Sequence, residues 1–139
     1  MGDAVWLFFG LPQWFFWNLV DPFGVGPLSI VPFVGILCLI AGVILGVRKR
    51  ARFLWQYGLP VLASHAFVAV AGFLRGALEA SQVQIVVLSF MVVMLGWSLL
   101  LVYKAKGARI AALLLAVFSL SYAAYASFVS VMSFTDNWM

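Results

Sequence analysis

The hydrophobic pattern of this chain is one of long runs, not of alternation. Residues 27–47, 57–78, 83–103 and 110–134 are apolar throughout, and Arg75 is the only charged side chain within them. A run of 21 residues at about 1.5 Å each gives a helix of about 31 Å, which matches the hydrocarbon core of a bilayer. The last run, at 25 residues, is long enough to tilt or protrude. Pro32 and Pro60 fall in the first turns of their runs, where a missing N–H is least damaging. The pattern predicts an all-α, polytopic membrane protein whose four transmembrane helices pack as a bundle.

The N-terminal stretch is different. Residues 4–20 are apolar and aromatic, with Trp6, Phe8, Phe9, Trp14, Phe15, Phe16 and Trp17, but Gly10 and Pro12 interrupt them. Indole rings favour the headgroup level, where an apolar body meets a polar N–H. An interfacial or re-entrant segment over residues 1–26 is therefore expected, followed by a four-helix transmembrane domain over 27–139; a fifth span over 4–20 is the alternative. Asp3 stands where a secretory leader would be basic, and no small-residue cleavage site follows, so a signal peptide is not expected. Residues 21–27, rich in Pro and Gly, read as a turn into the first span.

Charge fixes an orientation. Of eight cations, Arg48, Lys49, Arg50 and Arg52 lie in the first loop, and Lys104, Lys106 and Arg109 in the third. The acids Asp3, Asp21, Glu79 and Asp136 lie in the alternate segments. Short loops rich in Lys and Arg remain in the cytoplasm, which predicts both termini outside, in a bacterial inner membrane. The expected partners are the lipid bilayer and its anionic headgroups, worth about 1 kcal/mol per basic residue near the surface. Overall the chain is 66% hydrophobic and 9% charged, with a mean hydropathy of +1.16, against about 25% charged in soluble domains. The net charge of +4 sits at helix ends, so nucleic-acid binding is not expected.

The fourth run carries the sharpest periodicity. Ala112, Ala116, Ser119, Ala123, Ala126, Ser130 and Ser133 recur at alternating spacings of four and three, a single helical face of small side chains. In lipid, helices associate through close van der Waals approach and hydrogen bonds, and such a face permits both. Gly35, Cys38, Gly42 and Gly46 make a similar face in the first run, and Gly72 and Gly76 in the second. Leu113, Leu114, Val117, Phe118, Leu120 and Phe128 occupy the other faces of the fourth run and suit lipid or looser packing.

Candidate chemistry is sparse. His65, the only histidine, falls near the middle of the second run on the side of Ala69 and Gly72. An ionisable group at membrane depth suggests a relay or pore-lining role; the alternative is a neutral imidazole hydrogen-bonded to a neighbouring helix. One histidine and one cysteine, Cys38, cannot assemble a metal or haem site, so no metal or cofactor is expected. Nothing resembles a catalytic dyad or phosphate loop, and an enzyme is not expected. Arg75 and Glu79, four residues apart, are expected to form an ion pair at the outer surface.

These features favour a non-catalytic accessory or assembly subunit of a larger membrane complex, partnered by other subunits or by copies of itself. A homo-oligomeric channel or small transporter with His65 near a water path is the alternative, and a holin- or toxin-like membrane-perturbing protein a third. Size and span count are similar to those of the small multidrug transporters. That family carries a membrane-embedded glutamate in its first helix, whereas the first span here carries no charge.

Overall fold

In a computed structural model of the chain, residues 2–17, 30–48 and 54–135 are described. Among them the protein is all-helical: α1 (Gly2–Trp17), α2 (Ile30–Arg48), a 3₁₀ turn (Leu54–Tyr57) leading into α3 (Gly58–Phe73), α4 (Ala80–Lys104) and α5 (Arg109–Phe134). The 21–27 turn, most of the first basic loop (Lys49, Arg50, Arg52) and the terminal Asp136 lie outside the described residues.

Three helices, α2, α4 and α5, are long and apolar enough to cross a membrane. The 57–78 run yields only the 16 residues of α3. It ends early because Leu74, Arg75 and Gly76 form a turn. Gly76 takes a positive φ of 65°, which a residue without Cβ adopts readily, and its N–H donates to the Phe134 carbonyl at 2.9 Å. Gly76 therefore closes a turn against α5 and does not extend the glycine face of α3. Arg75 and Glu79 are correspondingly not one helical turn apart. Both are exposed, and Glu79 caps α4 in a capping box, with its N–H donating to Gln82 Oε1 at 3.0 Å.

Helix α5 is the hub. Helices α2, α3 and α4 all pack along it, and Ala112, Ala116, Ser119, Ala123, Ala126, Ser130 and Ser133 are all buried within the single chain. Helix α2 runs antiparallel to α5 at close range. A Cβ on Gly35 would overlap Ser121 Oγ and lie 2.9 Å from its Cβ, and one on Gly42 would lie 2.9 Å from Leu115 Cγ and 3.2 Å from the Ala111 carbonyl. Gly46 is buried as well. Phe118, expected toward lipid or looser packing, is 7% exposed and belongs to the largest core cluster among the described residues. Its place beside Ser119 and Tyr122 turns it toward α1, whereas Leu113 is 54% exposed.

Helix α1 is continuous through Gly10 and Pro12, the two residues that interrupt the apolar run. Its packing supplies the reason. Ala4, Leu7, Leu11 and Phe15, spaced 3, 4 and 4, are buried, and most of them join Val68 of α3 and Tyr122 and Ala126 of α5 in one cluster. Trp6, Phe9, Phe16 and Trp17 face outward. The inward stripe cannot be read from hydrophobicity because both faces are apolar. Helix α1 runs antiparallel to α3: a Cβ on Gly72 would lie 2.8 Å from Ala4 Cα, and the Phe8 ring stands 5.1 Å from that of His65.

This arrangement sorts charge by end. Arg48, Lys104, Lys106 and Arg109 lie at the end where α2 and α4 finish and α5 begins. Arg75 and Glu79 lie at the other, with the start of α1 and the finish of α5.

Candidate functional site

Position 65 projects between three helices because α3 lies parallel to α5 and is covered by α1. Tyr57 at the start of α3 donates its hydroxyl to the Ala112 carbonyl at 3.0 Å, and two turns further along His65 meets Tyr122. His65 Nδ1 stands 2.9 Å from the Val61 carbonyl, and its Nε2 stands 3.1 Å from the Tyr122 hydroxyl. A carbonyl only accepts, so Nδ1 carries a proton; in the ring with that single proton Nε2 is the acceptor and the Tyr122 hydroxyl donates to it. Both ring nitrogens are engaged in the neutral form. The imidazole is 9% exposed and lies at 30° to the Tyr122 ring.

Tyr122 is the residue that the periodicity of the fourth run does not single out. It lies one position off the small-residue stripe. The available signal was chemical: a phenol hydroxyl at membrane depth needs a partner, and the one imidazole at comparable depth is His65. Phe8, Phe15 and Phe118 surround the pair, with the Phe15 and Tyr122 rings 4.7 Å apart.

The small-residue face permits serines to bond across helices, but those with a partner bond within their own helix. Ser64, Ser119 and Ser130 donate to carbonyls four residues back, Pro60, Leu115 and Ala126, and Ser121 to Phe118 three residues back. Such back-bonding satisfies the hydroxyl at no cost in approach distance. Ser98, Ser127 and Ser133 are buried with no hydrogen-bond partner for the hydroxyl. Ser89, one of the polar residues of the third run, is exposed.

A cavity of about 450 Å³ adjoins the His65–Tyr122 pair. Its walls come from α1 (Phe16), α2 (Leu39, Val43), α3 (Val61, Leu62) and α5 (Leu115, Phe118), and Tyr57, His65 and Tyr122 are the lining residues with polar side chains. Among the described residues no Asp, Glu, Lys or Arg lines it. A second cavity of about 460 Å³ lies between α4 and α5, lined by Val83, Gln84, Val87 and Val131 among others. Among the described residues no three His, Cys, Asp or Glu side chains are grouped to hold a metal ion. Cys38 is half-buried on α2 as a free thiol.

The arrangement can hold a neutral imidazole rigidly and can receive an uncharged apolar molecule beside it. Compared with known proteins, the chain matches no family model, no curated protein and no solved structure.

Proposed function

We propose that this is a four-span protein of a bacterial inner membrane that serves as a non-catalytic accessory or assembly subunit of a larger membrane complex. The basic end faces the cytoplasm and both termini face outward. Span two is α3 together with the 3₁₀ turn before it. Twenty residues from Leu54 to Phe73 cover about 32 Å at about 2.0 Å per 3₁₀ residue and about 1.5 Å per α-helical residue. Helix α1 enters the bundle from the outer side as a re-entrant element packed on α3.

One observation carries the reading. Helix α4 fully buries only Val83, Met94, Ser98 and Leu101 and presents a long apolar face outward, with Ile85, Leu88, Val92 and Leu99 each at least 60% exposed. The small-residue faces are consumed inside the chain, and α4 is the least buried of the three long helices, so its outer face is the one we assign to another subunit. A photoreactive residue at Val92, followed by purification in mild detergent, tests this. A stoichiometric crosslink to a different membrane protein supports the accessory role; crosslinks to lipid alone, or to a second copy, sink it.

The position of His65 beside the 450 Å³ cavity favours a second reading, a homo-oligomeric channel or small transporter. Proton or ion flux through liposomes containing the pure protein, lost in His65→Leu, would select it over the accessory role.

A further inference from the structure

The cavity beside His65 and Tyr122 has a chemistry of its own, independent of the accessory role. We propose that it binds a neutral, membrane-dissolved molecule with a long apolar body and one hydroxyl group, a lipid alcohol or phenol, which donates its hydrogen bond to the Tyr122 oxygen.

Four features define the occupant. Size comes first: about 450 Å³ lies within the roughly 300–1,000 Å³ typical of small-molecule sites. Second, among the described residues no Asp, Glu, Lys or Arg lines the cavity, and burying an unpaired charge against those walls is prohibitive. An ionised headgroup is thereby rejected.

Depth is the third. From Arg109 at the basic end to Tyr122 is thirteen residues of one helix, about 20 Å along its axis. The glycerol ester region of a bilayer phospholipid sits near the interface and cannot bring a polar group to that level without leaving its headgroup in hydrocarbon. A lipid alcohol can.

The fourth is hydrogen-bond polarity. The Val61 carbonyl holds the proton on Nδ1, which leaves Nε2 as an acceptor that the Tyr122 hydroxyl already serves. The one hydrogen of Tyr122 is committed, while its oxygen retains acceptor capacity. The phenol is polarised by the imidazole it serves, which strengthens it as an acceptor. The site therefore complements a donor. A ketone, quinone or ether of the same shape offers only acceptors and would have to displace the bond between Tyr122 and His65. Entry is lateral: Val43, Leu62 and Phe16 line the cavity and are 40%, 60% and 40% exposed, at a level where the surroundings are lipid.

The test uses the full-length protein in liposomes with a diazirine-bearing long-chain alcohol as probe. Labelled positions are mapped by mass spectrometry, with the unlabelled alcohol and its methyl ether as competitors. We expect labelling at Val43, Leu62 and Phe118 above that at Leu88 and Val92 on the open face of α4, and the alcohol should compete about tenfold better than the ether, the worth of one hydrogen bond. Val43→Trp, at the half-exposed mouth, should abolish labelling at Leu62 and Phe118 while leaving the α4 background unchanged. In the double variant Tyr122→Phe, His65→Leu, which removes the two acceptors at that depth and leaves only Tyr57 near the basic end, labelling should persist and the preference for alcohol over ether should fall at Phe118. Equal competition by alcohol and ether in the unmodified protein would overturn the proposal, since the cavity would then be holding ordinary acyl chain. Labelling no stronger than on α4 would overturn it as well.

Discussion

Substituting Gly72 by Ala tests whether α1 is seated against α3. A Cβ at position 72 would lie 2.8 Å from Ala4 Cα, 3.2 Å from Ala4 N and 2.9 Å from Leu7 Cδ1. Leu7 can rotate, but the Ala4 backbone cannot, so the whole of α1 must shift. Overpacking of this kind costs about 1–3 kcal/mol. No hydrophobic gain offsets it, because lipid is as apolar as the helix being displaced. Helix propensity works the other way, by up to about 1 kcal/mol in favour of alanine. Gly96 on α4 isolates that contribution, since a Cβ there meets nothing within 4 Å. Gly96→Ala should therefore be neutral or slightly stabilising, and Gly72→Ala should fall below it by about 1–3 kcal/mol. SDS-titration unfolding in mixed micelles, followed by tryptophan fluorescence, reads both. An α1 lying flat in the interface, away from α3, predicts no penalty at Gly72. Coincident transitions for the two variants would therefore refute the packing described here.

Three further outcomes follow from the same contacts. Tyr122→Phe removes the donor to a buried imidazole nitrogen and should destabilise by about 1 kcal/mol, within the range for polar contacts between membrane helices. A double-mutant cycle with His65→Leu should show the two losses to be non-additive, and strict additivity would mean that the pair does not form. Ala123→Leu or Ala126→Leu inserts a branched side chain at positions with no exposure and should cost about 1–3 kcal/mol by overpacking, more than Leu120→Ala on the half-buried side; the reverse order in the same unfolding assay would place the packing face elsewhere. Single cysteines at Ala77 and Lys106, in a Cys38→Ala background, should react with a membrane-impermeant maleimide from opposite sides of the bilayer, Ala77 from outside. Labelling of both from one side would contradict the proposed threading.

Much of the architecture was legible in the residues. The three longest helices begin and end within three residues of the apolar runs that predict them; at the basic end a charged side chain, Arg48, Lys104 or Arg109, is costly inside hydrocarbon and marks the boundary of each. The stripe from Ala112 to Ser133 was legible too, since small residues at alternating spacings of four and three have little use except close approach. The early end of α3 was not: Gly72 and Gly76 look alike in a sequence, yet one meets Ala4 and the other closes a turn onto Phe134.

Composition and charge order thus determined three membrane-length helices, with Arg48, Lys104, Lys106 and Arg109 at one end. Both follow from transfer free energies that act residue by residue. Tertiary structure decided what those local energies leave degenerate. In an apolar segment such as α1 every face is equally greasy, so only the neighbouring helices select Ala4, Leu7, Leu11 and Phe15 as the inner one. A single imidazole does not specify its partner, and only the parallel seating of α3 on α5 brings Tyr122 to His65. The cavity beside them exists because four helices meet there without filling the space, a property of their packing that no single segment contains.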